Sequence, residues 1–342
     1  MRDAADRPTS RPPSGRPPSG ARSPGRGLWL LLAVYVAAML GAAALTPPVY
    51  WAFQAWDAAG GGELASYLAD KAPPRHFDRI RWLLVLAALP WLCRATGLAS
   101  RRALGLTGGA EARRLASVWL AAGFVMVAGI AAGQLLSGTV ALAPPARAGT
   151  LLGIVLLGLV SAALIAFFEE LVFRGVVFQL ADRALPAWGS VPVAAAIFAL
   201  LHFQRVPSDA WPADGPVPWW SGFAVAWRSV TGTFRTAEGP VLFALFLAGT
   251  VLCLLFLRHR TLLAPMGLHA GWVWAAQIYR DTVRTAPGAD PAVWGSRDLV
   301  DGAIPLALLV LLLLGMLLAF RYSAASLADR ASGGGSGGSS PS

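Results

Sequence analysis

Apolar residues in this chain come in long unbroken runs separated by short polar stretches, the pattern of a chain that meets lipid rather than water. Eight runs lie near 28–45, 81–99, 116–139, 149–168, 189–204, 240–257, 261–279 and 302–320. Each is close to the ~20 residues that cross a hydrocarbon core of ~30 Å. The fold class this predicts is all-α, a multi-pass transmembrane helical bundle of about eight helices. Two longer connections interrupt the rhythm. The first, 46–80, mixes Gly60-Gly61-Gly62 with Pro73-Pro74 and predicts a connection with some amphipathic helix. The second, 205–239, carries Trp211, Trp219, Trp220 and Trp227 among prolines and predicts an irregular loop at the membrane interface.

Composition sharpens the picture at the ends. Of 342 residues, 56% are hydrophobic and 13% charged, which excludes an ordinary soluble domain. Residues 1–26 repeat Arg-Pro-Pro-Ser-Gly and predict a disordered basic tail; 326–342 predict a flexible one, leaving 27–325 as the membrane domain. The net charge of +10 would suit a nucleic-acid partner if it were clustered on one face. Six of the 28 basic residues are instead arginines in the first 26 positions, and most others flank apolar runs. That distribution is the one membrane orientation requires, and it predicts an inner-membrane protein with both termini cytoplasmic and no nucleic-acid partner. Cys93 and Cys253 fall inside apolar runs and predict apolar packing.

One run ends in chemistry. No charge occurs from Ala148 to Phe168, and then Phe167-Phe168-Glu169-Glu170-Leu171-Val172-Phe173-Arg174-Gly175 brings two carboxylates and a guanidinium together. An ionised carboxylate at membrane depth is costly unless paired or neutralised. Glu170 and Arg174, four residues apart on a helix, can meet as an ion pair. Glu169, rotated by about 100°, is left without that partner. Two histidines also sit in apolar surroundings, His202 after Phe198 and His269 after Gly267-Leu268. Neither has a polar neighbour in sequence, so both are expected to face Glu169 from other helices.

A desolvated carboxylate with two imidazoles can make a water nucleophilic, stabilise charge on an attacked carbonyl oxygen and return a proton to a leaving amine. The same trio is a ligand set for zinc, although the spacing lacks the His-Glu-x-x-His of helix-borne zinc sites. A proton-coupled transporter could also use such a relay, but no internal repeat of the kind those folds show is present.

Three motifs in order, Glu169-Glu170-x-x-Phe173-Arg174-Gly175, Phe198-x-x-x-His202 and Gly267-Leu268-His269, resemble the pattern of the CPBP family, the CAAX proteases and bacteriocin-processing proteins related to the type II CAAX prenyl endopeptidase. The likeness covers about 150–280. It implies an intramembrane peptidase acting on a membrane-associated protein or peptide, in which Glu169 and His202 activate a water and His269 stabilises the oxyanion. Glu170, Arg174 and Phe198 would support them. The resemblance leaves a metalloprotease reading open, with Glu169, His202 and His269 holding zinc, or no cofactor at all. It also implies an Asn or Asp four residues after His269, where this chain has Val273. That departure keeps a second expectation alive, a family member of weak or no activity that serves as a membrane immunity or interaction protein.

Overall fold

The computed structural model describes residues 24–144, 147–204, 216–236, 238–286, 291–296 and 299–333. The protein is an all-α multi-pass membrane bundle. Helix α1 (Pro24–Ala58) is followed by the short α2 (Gly62–Ala69), then α3 (Pro73–Thr96) and α4 (Ala110–Leu136). Next comes a rod formed by α5 (Ala148–Val172), a π-helical turn (Phe173–Phe178) and α6 (Gln179–Ala184). Beyond it lie α7 (Ala187–His202), α8 (Ser221–Thr236), α9 (Gly239–His259), α10 (Leu263–Thr282), α11 (Pro291–Trp294) and α12 (Ala303–Gly333). Strands β1 (Val140–Leu142) and β2 (Val283–Thr285) pair antiparallel and tie the end of α4 to the end of α10.

A helix stands at each of the eight expected positions, but among the described residues only five are long and apolar enough to cross a membrane: Gly25–Ala58, Ala110–Leu136, Ala148–Ala184, Gly239–His259 and Ala303–Phe320. Trp188–His202 is apolar but shorter. Helix α3 is too charged, with Arg75, Asp78, Arg79 and Arg81 near one end and Arg94 near the other. Helix α10 carries His269, Gln277, Arg280 and Asp281, and its stretch from Ala264 to Gly271 is buried inside the bundle. An inner helix meets protein rather than lipid, so it needs no uniform apolar surface.

The first connection, and the described part of the second, are largely helical. Helix α1 continues through Pro47 and Pro48, with the Thr46 hydroxyl donating to the Ala42 carbonyl at 2.6 Å in the turn the prolines weaken. Within 205–239, α8 packs against α1 and α3. Its buried face is Val225, Ser229 and Thr233, and its exposed face carries Phe223, Trp227, Val230 and Phe234. A helix with one face on protein and one aromatic face outward is what four-residue spacing of those groups dictates. Trp219 and Trp220 are exposed beside it, while Trp211 lies outside the described residues. Helix α12 runs past residue 326 to Gly333, because Ala324, Ala325, Leu327 and Ala328 are strong helix formers. Of the expected tail 326–342, residues 326–333 are helical, and 334–342, like 1–23, lie outside the described residues. Cys93 and Cys253 are free and buried.

The contact that sets the interior is α4 against α10. A Cβ at Gly267 would stand 2.2 Å from the Ala116 carbonyl oxygen, one at Gly271 2.2 Å from that of Leu120, and one at Gly123 2.4 Å from that of Leu268. Glycines four residues apart thus let the two backbones touch, the small-residue packing used where lipid offers no hydrophobic drive between helices. His269 lies between these two glycines in sequence, so its depth in the bundle depends on this approach. Gly271→Ala is expected to destabilise the protein by about 1–3 kcal/mol through overpacking, read as a lower melting temperature of the full chain in detergent. Gly129→Ala, on the same α4 with nothing within 4 Å of the added methyl, leaves the melting temperature unchanged or slightly raised.

Candidate active site

Glu170 and Arg174 occupy the junction where α5 gives way to the π-helical turn. Their four-residue spacing brings Arg174 Nη1 to 3.0 Å from Glu170 Oε1, with side-chain exposures of 1% and 0%. Nη2 of the same arginine donates to the Gly249 carbonyl on α9 at 3.1 Å. The guanidinium carbon lies 4.5 Å from the centre of the Phe198 ring on α7. Glu170 Oε1 also accepts from His269 Nδ1 at 2.8 Å. One carboxylate oxygen therefore joins three groups from two helices. Glu170 Oε2 and Arg174 Nε are buried without a hydrogen-bond partner among the described residues.

Glu169 leaves the helix in another direction, and its carboxylate meets both histidines. Its Oε2 is 3.8 Å from His202 Nε2 and 3.8 Å from His269 Nε2. The atom is buried and makes no direct hydrogen bond. A separation of 3.8 Å exceeds hydrogen-bond reach, so neither imidazole is bonded to this oxygen directly.

The other ring nitrogens decide how the histidines present themselves. His202 Nδ1 lies 2.7 Å from the Phe198 carbonyl oxygen. A carbonyl only accepts, so Nδ1 carries the hydrogen and Nε2 of the neutral ring turns a lone pair toward Glu169. His269 Nδ1 donates to the Glu170 carboxylate in the same sense, which aims its Nε2 at Glu169 as well. Phe198 holds this geometry from behind, with its ring centre 4.3 Å from that of His202 and 6.2 Å from that of His269. Phe173 packs on Phe198 edge to face at 5.0 Å.

Besides the bond from His269 to Glu170, two hydrogen bonds pin α10 to α5. Trp274 Nε1 donates to the Val155 carbonyl at 2.9 Å, and Gln277 Nε2 to Ser161 Oγ at 3.2 Å. Val273, half-buried one turn after His269, can donate nothing. Gln277 is engaged with Ser161 two turns away, so it does not take over that position. Trp272 buries an indole N–H without a partner among the described residues, with its ring packed among residues of α4, α9 and α12.

The donor types of Glu169, His202 and His269 suit zinc, but their placement does not. Ligand atoms about 2.0–2.1 Å from a tetrahedral ion stand roughly 3.4 Å apart, closer than the 3.8 Å from Glu169 Oε2 to either Nε2. Among the described residues no group of three or more His, Cys, Asp or Glu side chains is arranged to hold a metal ion.

The sequence pointed to Glu169, Glu170, Arg174, Phe198, His202 and His269, and the fold gathers all six. What it could not indicate is the bond from His269 to Glu170. Those residues are 99 positions apart, and Glu170 already had a partner at helical spacing. The Gly249 carbonyl that receives Arg174 is equally silent in sequence, because a backbone acceptor leaves no residue-type signal.

Among curated proteins and among solved structures nothing matches the chain. A family model does match, over residues 151–275, the stretch that supplies α7, α9, most of α5 and α10, and every one of these side chains. Over that stretch this membrane-embedded protein is similar to the type II CAAX prenyl endopeptidases, Rce1-like.

Proposed function

We infer that the protein is an intramembrane endopeptidase, hydrolysing a peptide bond in a membrane-associated protein or peptide by means of a water activated at Glu169. The observation that carries this reading is the meeting of one carboxylate oxygen with two imidazole Nε2 atoms at 3.8 Å each, from three helices. A water between them can donate one hydrogen to Glu169 and the other to the His202 lone pair, which leaves its own lone pair free to attack a carbonyl carbon. Glu169 takes the proton as the carbon–oxygen bond forms, and passes it to the amine nitrogen as the carbon–nitrogen bond breaks.

His269 serves the developing oxyanion. To donate from Nε2 its ring must carry a second proton, and the carboxylate bonded to Nδ1 favours that cation by a charge-assisted hydrogen bond. Glu170 is thus a positioning residue for His269, and Arg174 holds the Glu170 carboxylate in place. The protein lies in a cell inner membrane with its arginine-rich N-terminal end in the cytoplasm.

Val273 favours a second reading. With no side-chain donor one turn beyond His269, the oxyanion receives less stabilisation, and one such donor is worth on the order of 3 kcal/mol. A weakly active or inactive protein that acts by interaction within the membrane would tolerate that loss.

Three outcomes test the reading. Full chain in nanodiscs, assayed against membrane-anchored peptides, loses cleavage by at least ~100-fold on Glu169→Gln with its melting temperature unchanged. Unchanged cleavage would sink the glutamate mechanism, and a cellular phenotype that persists in the Glu169→Gln strain would establish the interaction reading. Arg174→Ala strands a buried carboxylate and lowers stability by about 3–5 kcal/mol, measured by denaturant unfolding in detergent micelles. Exhaustive chelation leaves the cleavage rate within twofold; loss restored by added zinc would transfer water activation to a metal.

A further inference from the structure

Beside the site lies a second feature that the peptidase reading does not use. A cavity of about 380 Å³ runs between α1, α3, α7 and the rod at Val172–Val177. Its walls are almost wholly hydrocarbon, from residues such as Leu31, Leu89, Val176 and Ile197. It is elongated. The lining extends from Arg81 to Leu92 on α3, roughly 16 Å at helical rise, and from Val193 on α7 to Gln204 just past its end. Such a volume at interior packing density accepts one hydrocarbon chain of roughly 12 methylenes.

Polar groups stand at one end only. Tyr35, Arg81 and Gln204 close it, near the charged start of α3 where Arg75, Asp78 and Arg79 also lie. Arg81 is buried and its Nη1 donates to Gln204 Oε1 at 2.9 Å. Its Nη2 reaches Asp78 Oδ1 at 3.1 Å and the Gln204 carbonyl at 3.3 Å. Tyr35 donates its hydroxyl to the same Gln204 Oε1. A guanidinium can only donate, so the atom facing Arg81 is the amide oxygen, and the Gln204 NH2 is the group left over. It makes no hydrogen bond among the described residues. The end of an apolar channel thus holds a donor for a carbonyl or carboxylate oxygen, with a cation next to it.

We propose that this cavity is a binding site for a single acyl chain, with the chain along α3 and α7 and its carbonyl end hydrogen-bonded to Gln204. The polar end is level with the candidate active site. Phe173 faces Phe198, and Glu169 faces His202 one turn on, so α5 and α7 run antiparallel and Gln204 lies two residues beyond His202. The acyl group can belong to a free fatty acid or to an acylated peptide, since both present the same chain and the same terminal carbonyl oxygen. A hydrocarbon without a carbonyl at its attachment point, such as a thioether-linked isoprenoid, leaves Gln204 unanswered.

Full chain in phosphatidylcholine nanodiscs, irradiated with a palmitic acid analogue bearing a diazirine in its tail, tests this. Labelling is expected to saturate and to map to the segments around Leu89–Leu92 and Val176–Val193. Ile197→Trp, which fills the channel, lowers it at least tenfold. Gln204→Glu, which keeps an oxygen for both accepted bonds and replaces the NH2 donor by a second carboxyl oxygen, lowers it at least threefold with an unchanged melting temperature. Competition by palmitic acid identifies a free fatty acid as occupant, and competition by an N-palmitoyl peptide alone identifies an acylated peptide. Label that does not saturate, that spreads over the lipid-facing helices, that yields only to an S-farnesyl peptide, or that is equal in wild type and both variants overturns the proposal. The same measurement on Glu169→Gln gives undiminished labelling, so failure of the peptidase mechanism and failure of the acyl site are read separately.

Discussion

A single buried carboxylate organises the interior. Glu170, with no solvent exposure, receives Arg174 from its own helix and His269 from α10 through one oxygen. A charge so placed is tolerated only where donors replace its water, and each donor here belongs to an element that must be in position to supply it. Arg174 in turn reaches the α9 backbone at Gly249 and the Phe198 ring on α7. The desolvation of one group thereby couples α5, α7, α9 and α10. Removing either charge leaves the other stranded, which makes the cluster all-or-none.

The chemistry of Glu169 follows from its neighbour. Adjacent positions on a helix point about 100° apart, so two consecutive glutamates cannot share one environment. Glu170 takes the interior and the cation; Glu169 is left with imidazoles whose orientation other groups impose. His202 is turned by a backbone carbonyl and His269 by Glu170. Both Nε2 atoms therefore converge on Glu169 at 3.8 Å without being bonded to it directly.

Packing supplies the precision that polar contacts alone do not. Gly267 and Gly271 let α10 lie on α4 at backbone contact, and Trp274 and Gln277 fasten its other side to α5. The π-helical turn at Phe173–Phe178 begins four residues after Glu169 and carries Arg174 of the ion pair; such turns recur at functional sites. On the opposite side the same turn supplies Phe173 and Val176 to the acyl-chain cavity. One local departure from α-helix thus borders both features.

Much of this was legible in the residues themselves. Long apolar runs required a helical membrane bundle, since only helices satisfy their own backbone in lipid. A charge cluster after an uncharged run marked Glu169, Glu170 and Arg174, and isolation in apolar sequence marked His202 and His269. That each of the eight apolar runs forms a helix was legible; the further helices α6, α8 and α11, and which helices meet lipid, were not. Burial of α10, the charged ends of α3 and the shortness of α7 reduce the clear crossings to five among the described residues, and whether a run faces lipid or protein depends on its neighbours. Local spacing could assign Glu170 to Arg174 because helix geometry alone brings such residues together. The His269 bond to Glu170, the turn of each imidazole and the channel ending at Gln204 were decided by tertiary structure alone. Each depends on atoms about 3 Å apart whose residues are separated by tens of positions, and only the packing of one helix on another sets such distances.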